Sequence, residues 1–400
     1  MRVVQINTVC GTGSTGKIAV ALYKLAESNN FTPYIAYGRG TAPDNINSYK
    51  IGNLLDFGTH VLSNFFLGNS GFASKTKTKR FLKWLDSVHP DIIHLHNLHG
   101  FYLHIELLFE YIKINNIPLI WTLHDCWSFT GQCAHFDYIN CTKWQSNCFD
   151  CPIYRTDYPY SLFKDNSKNN YINKKKAFTG VNNMIIVTPS NWLSGLVQKS
   201  YLKEYRIETI HNGIDLEIFQ PTNFMPLLSC EKKYLLGVAN VWTEKKGFNY
   251  FLSLADLLPN SFHIVLIGVN KKQQNFIQTK YSGKITGINR TSNQQELAQW
   301  YSSAYAFVNA TLEDTFPTTN LEALACGTPV ITFDAGGSPE SVTDKCGIIV
   351  EKGNLEKLKE AILSLENKTE ITSSSCREQA LQYNKNVNFM KYIELYKQLI

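Results

Sequence analysis

Apolar residues fall along this chain in short runs separated by amphipathic stretches. In the first half the runs are Arg2–Thr8, His89–His96, Pro118–His124 and Ile185–Pro189. In the second half they are Lys233–Ala239, His263–Gly268, Lys284–Gly287, Tyr305–Asn309 and Val330–Phe333. Runs of this length, bounded by turn residues, predict buried strands. Helical patterns lie between them: one runs from Gly11–Lys17 to Glu27, and one starts near Trp192 with Ser190 as its cap. Others cover Asn293–Ser302 and Leu355–Leu365, with a last one near Asn386–Leu399. Strands alternating with helices predict α/β architecture with parallel sheets. The rhythm stops at the Asn212-Gly213 turn signal and the polar, Pro-containing stretch Pro221–Cys230, then restarts. Four hundred residues suit two domains, here 1–217 and 218–385 with the boundary near Gln220.

Composition narrows the class. It is that of a globular protein, with a formal net charge of +6. A mild positive balance suits anionic small molecules or an anionic membrane face; no nucleic-acid partner is expected. Met1–Thr8 already has a strand pattern rather than that of an export signal. No stretch of about 18 apolar residues runs uninterrupted. A cytoplasmic location follows, with peripheral contact at the inner face of the membrane as an extension. Ten cysteines without an export signal argue for reduced thiols or a metal rather than a disulfide framework.

The densest chemistry lies in Thr311–Phe333, which reads as a loop, a helix and a strand. Thr318 and Thr319 are of the type that caps a helix start, Gly327 suits a left-handed C-terminal cap, and Pro329 forbids continuation. Asp314 and Glu322 bracket the helix entry with seven residues between them. A helix N-terminus is a phosphate seat, and a nearby acid accepts hydrogen bonds from sugar hydroxyls. The same logic draws attention to Gly11–Lys17, G-T-G-S-T-G-K, whose Gly13, Ser14 and Gly16 stand where a strand gives way to a helix. Its rival readings fail on detail: Ile18 replaces the hydroxyl of a P-loop, and Tyr34–Gly40 lacks the acid of a dinucleotide fold. His94 and His96 share one strand face, as a metal pair or as histidines lining a site. His124 ends a strand, where open α/β sheets bind ligands, or is a structural histidine held by Asp125. Cys133, Cys141, Cys148 and Cys151 fall within an insertion at 131–155; such density suits a structural zinc, free thiols, a redox pair or an iron–sulfur cluster. Tyr158–Phe178 mixes aromatics with Lys164, Lys168, Lys174, Lys175 and Lys176, as a solvated helix face or a surface for anionic lipid.

The segment Thr311–Phe333 closely resembles the two-acid motif of the family 4 retaining glycosyltransferases, down to the Gly327-Thr328-Pro329 turn. Asn212–Asp215 is similar to that family's interdomain Asn-Gly-Ile-Asp segment, and the likeness spans nearly the whole chain. The resemblance implies a GT-B fold: two Rossmann-like domains facing across a cleft, with a helix at 386–400 returning to the first. It implies transfer of a sugar from a nucleoside diphosphate, UDP or GDP, to a hydroxyl acceptor with retained configuration. A glycan or lipid-linked acceptor in surface polysaccharide synthesis is the family-level expectation, with no cofactor in catalysis. Lys246 takes the place of the family's diphosphate-binding Lys. The family's Arg is missing, Asn240 and Val241 standing nearby, so Lys245 or Arg290 substitutes. The backbone near Phe316, Thr318 and Thr319 would hold the distal phosphate, and Glu322 the ribose. Asp314, or Glu313 beside it, and His124 would orient the sugar, while the Gly13–Ser14 loop would close on the donor or acceptor. Two other readings stay open: a zinc-stapled nucleotide- or sugar-binding protein without turnover, and an NAD- or ATP-dependent enzyme using Gly11–Lys17.

Overall fold

The computed structural model describes residues 1–223 and 233–399, so most of the expected linker Pro221–Cys230 lies outside the described residues. The chain forms two compact units, Met1–Ile210 with Phe389–Ile400, and His211–Asn388. The division falls ahead of the expected 217 because Ile214 and Phe219 pack into the core of the second unit.

The first unit is built on a seven-stranded parallel sheet. Its strands are β1 (Arg2–Val9), β2 (Thr32–Arg39), β3 (Ser48–Lys50), β4 (Ile92–Leu95), β5 (Leu119–Thr122), β6 (Met184–Thr188) and β7 (Arg206–Thr209), in the order β3-β2-β1-β4-β5-β6-β7. β4, β5 and β6 are buried along their whole length, as strands covered on both faces must be. One face of the sheet is closed by the end of the last helix, Lys385–Gln398. There Phe389, Tyr392, Ile393 and Tyr396 pack on Val3, Ile92, Ile120 and Val187.

The second unit carries a six-stranded parallel sheet. It comprises β8 (Lys233–Val238), β9 (Phe262–Ile267), β10 (Ile285–Ile288), β11 (Ala306–Asn309), β12 (Val330–Phe333) and β13 (Gly347–Val350), in the order β10-β9-β8-β11-β12-β13. In each sheet the strand order reverses beside the first strand, between β1 and β4 and between β8 and β11. Such reversal points splay the following loops apart and leave room for a ligand at the carboxyl ends.

The 131–155 insertion has apolar filling of its own: Phe136, Trp144 and Ile153 are buried, with Trp144 packed on Phe129 and Phe136. Lys174 is fully buried rather than on a solvated face. Its ammonium donates to the carbonyls of Trp127 (2.8 Å) and Thr130 (3.2 Å) and lies 3.5 Å from the centre of a Trp127 ring. Burial pushes its pKa down to about 7. Ser338 opens a four-residue 3-10 turn, Ser338–Ser341. Among the described residues, no helix is long and apolar enough to cross a membrane.

Candidate active site

In the second unit, the reversal point brings together two loops distant in sequence. The loop after β8 is strapped to the loop after β11 through backbone: Leu312 N–H donates to Lys245 O at 2.8 Å. Gly247 makes the approach possible. It has φ +84°, and a Cβ there would stand 2.3 Å from Ala310 O. The strap aligns two consecutive ion pairs, Lys245 Nζ to Glu313 Oε1 at 3.0 Å and Lys246 Nζ to Asp314 Oδ2 at 2.7 Å. Glu313 is buried, and its Oε2 has no hydrogen-bond partner among the described residues. Asp314 is half-buried, and its Oδ1 accepts from Phe316 N–H at 3.2 Å. Both candidate acids therefore stand beside the candidate lysines. Of the two candidates for the second cation, Lys245 stands at these acids, whereas Arg290 is exposed past the end of the edge strand β10.

Immediately beyond lies the helix Thr318–Ala325. Its N-cap is Pro317, not a threonine, and no side chain caps it. The half-buried Thr318 and Thr319 instead occupy its first turn. An uncapped first turn points its N–H groups and the positive end of the helix dipole outward. Gly327 ends the helix in the left-handed conformation, φ +79°. Glu322, one turn in, accepts a hydrogen bond from the hydroxyl of fully buried Tyr301 at 3.0 Å. Asn212 Nδ2 donates to Phe316 O at 3.3 Å, and the His211 ring stacks on Phe316. Tyr301 and His211 escape sequence reasoning, because a lone tyrosine on an apolar helix face carries no signal.

The first unit has its own constellation at the β1/β4 reversal. Gly11 and Gly13 have positive φ, and the helix Gly13–Ser28 starts within the loop. Gly13 and Ser14 are exposed at its N-terminus. Gly16 is buried instead: a Cβ there would meet Gly11 N and Val9 Cγ2 at 3.1 Å, so it serves helix–strand packing. Past β5, the half-buried His124 stands against His96, with His124 Nε2 3.1 Å from His96 Nδ1. The network fixes the tautomers. Gln5 Nε2 donates to Ala19 O, so Gln5 Oε1 accepts from His96 Nε2–H at 3.0 Å. His96 Nδ1 then accepts from His124 Nε2–H. Burial lowers the His124 pKa to about 4. Asp125 pairs with His99 at 2.6 Å. The metal-pair reading of His94 and His96 fails, because Tyr396 and Thr122 occupy both ring nitrogens of His94 at 2.7 and 2.8 Å.

Cys133, Cys141, Cys148 and Cys151 all line one small cavity in the insertion, and Cys148 Sγ accepts from Gly131 N–H at 3.1 Å. The donor set suits a soft cation in kind. As the side chains stand, no group of three or more His, Cys, Asp or Glu among the described residues could hold a metal ion.

Comparison with known proteins accords with this geometry. Residues 232–368 match the family Glycosyl transferases group 1, and residues 37–218 match Glycosyltransferase Family 4. The chain is 21% identical over 380 residues to a putative colanic acid biosynthesis glycosyl transferase of Escherichia coli, covering 90% of this chain and 89% of the relative. It is 27% identical over 241 residues to the N,N'-diacetylbacillosaminyl-diphospho-undecaprenol alpha-1,3-N-acetylgalactosaminyltransferase of Campylobacter jejuni, covering 56% and 63%. Among solved structures it is similar in fold to HepE of Anabaena in complex with UDP. That match has TM-score 0.67 and 14% identity and covers all of both chains. The paired lysines and acids of the second unit thus belong to a glycosyltransferase: the chain is a member of the group 1, family 4 glycosyltransferases with the GT-B fold.

Proposed function

We propose that the chain moves a sugar from a UDP- or GDP-linked donor to a hydroxyl of a lipid-linked oligosaccharide, with retained configuration, in surface polysaccharide synthesis. The observation that carries this reading is the pair of ammonium–carboxylate contacts at the β8/β11 reversal, set against the uncapped start of Thr318–Ala325. An entering diphosphate competes with Glu313 and Asp314 for Lys245 and Lys246, and its distal phosphate takes the free N–H groups of the first helical turn. Fixed cations stabilise the charge that grows on the departing diphosphate, so no metal is required for the chemistry. Glu322, oriented by Tyr301, accepts from the ribose hydroxyls. Asp314, released from Lys246, accepts from hydroxyls of the donor sugar. As the bond from the anomeric carbon to phosphate breaks, the acceptor oxygen bonds to that carbon on the same face, and the leaving phosphate takes its proton. The polysaccharide setting and the lipid-linked acceptor are supported by the names of the two relatives.

The test is a calorimetric screen of the purified protein against UDP, GDP, ADP, NAD and ATP without added metal, followed by turnover with sugars of the base that binds. Micromolar binding of one nucleoside diphosphate is expected, with retained configuration in the product. Preference for NAD or ATP, or binding without turnover, overturns the proposal. A structural zinc at the four cysteines is a separate part of it, supported by their convergence on one cavity.

A further inference from the structure

The helix Leu54–Leu67 is inside out. The residues it buries are polar, His60 and Asn64. His60 Nδ1 lies 2.9 Å from Ser74 Oγ, His60 Nε2 accepts from Gly71 N–H, and Asn64 Nδ2 donates to Tyr160 O at 2.8 Å. Most of the side chains left in solvent are apolar: Leu54 is 86% exposed, Leu55 79%, Leu62 56% and Phe66 50%, with Thr59 the polar exception. Leu55, Leu62 and Phe66 are seven and four residues apart, so they form one stripe along the helix. The stripe continues onto the next segment. Phe163, 64% exposed, stacks on Phe66 with ring centroids 5.1 Å apart, and Leu162 N–H donates to Phe65 O. An exposed apolar strip of this kind marks an interaction surface.

Cations border both ends of the strip. Lys77 reaches Asp56 in the first turn at 3.2 Å, with Lys75 and Lys79 exposed beside it on the helix Lys75–Val88. At the other end, exposed Lys164 and Lys168 follow Phe163, and Gly68 sits against the Lys164 carbonyl. Apolar side chains flanked by lysines fit the headgroup zone of a bilayer containing anionic lipid, with rings and leucines below the phosphates and ammonium groups level with them. We propose that this strip is the surface by which the first unit docks on an anionic membrane. The inference concerns a face of the first unit alone and does not rest on the sugar-transfer reading.

The experiment is co-sedimentation of the full chain with vesicles of phosphatidylcholine, with and without phosphatidylglycerol. Binding is expected to be strong only with the anionic lipid. Leu62→Glu/Phe66→Glu should lower partitioning about tenfold or more. Lys164→Glu/Lys168→Glu should lower it on anionic vesicles only, and Leu381→Glu, an exposed leucine of the second unit, should leave it unchanged. Phe163→Glu gives an independent reading should the double variant fold poorly by circular dichroism. Partitioning unaffected by folded Phe163→Glu and Leu62→Glu/Phe66→Glu variants overturns the proposal. So does a protein that ignores both vesicles but loses self-association in those variants.

Discussion

Tyr301→Phe isolates one hydrogen bond at the nucleotide end of the candidate site. The ring is fully buried, edge-on to Phe307 at 5.4 Å, and phenylalanine keeps that packing. What disappears is the O–H that donates to Glu322 Oε2 at 3.0 Å. A hydrogen bond to a charged group contributes about 1.5–3 kcal/mol, and the lower end applies because half-buried Glu322 lets water replace the lost donor. If Tyr301 orients Glu322 toward ribose hydroxyls, about 1.4 kcal/mol of nucleotide affinity goes with it, or roughly tenfold in Kd. Calorimetry with the nucleoside diphosphate that binds the parent protein reads this directly, and a urea melt shows whether the fold survives. Glu322→Ala is the reference and should lose at least as much affinity. Wild-type affinity in a folded Glu322→Ala protein would refute the ribose role. Wild-type affinity in Tyr301→Phe, with Glu322→Ala impaired, would reduce Tyr301 to packing.

Burial holds His60 and His94 at pKa values down to about 3, and His104 and His124 down to about 4. Their folded values lie below the ordinary 6.5, so the unfolded chain binds more protons in this window. Stability is therefore full above about pH 6.5 and falls as pH drops toward 4, and urea midpoints at pH 7 and pH 5 should show the loss in the first unit. Gly247→Ala combines φ +84° with a 2.3 Å approach to Ala310 O and should destabilise by about 1–3 kcal/mol in thermal melts. It should also weaken diphosphate binding, whereas Gly283→Ala, at φ +77° in open space, should spare binding. Metal analysis of protein purified without chelator should find one zinc per chain, falling in Cys148→Ser and Cys151→Ser. Metal-free protein whose melting ignores both zinc and chelator would remove that site.

The strand–helix alternation was legible wherever apolar runs were long enough to be unambiguous, as in β1, β8 and β12. β3 and β13 were not, because they are short, only partly buried and bind only at a sheet edge. The two-acid segment announced itself through Asp314, Glu322 and Gly327, whose spacing and turn chemistry are local. The pairing of Lys245 with Glu313 could not be read, since it depends on β8 and β11 becoming neighbours across the intervening strands. Lys174 was misread for the same reason. A glycine in a loop motif or a lysine in a charged run declares its type, but only tertiary packing decides whether it faces ligand, solvent or core.

The last helix carries a consequence for biosynthesis. The core of the first unit includes Phe389, Tyr392, Ile393 and Tyr396, and Tyr396 OH and Tyr392 OH close polar contacts with His94 and Thr122. These residues leave the ribosome after the entire second unit. A nascent chain can therefore complete the second globule first, while the earlier one waits with Val3, Ile92, Ile120 and Val187 uncovered. Premature termination before the final helix would leave that apolar surface exposed, which marks truncated products for chaperones and proteases. The turns of this helix thus finish covering the first unit's core only after the whole second unit has been synthesised.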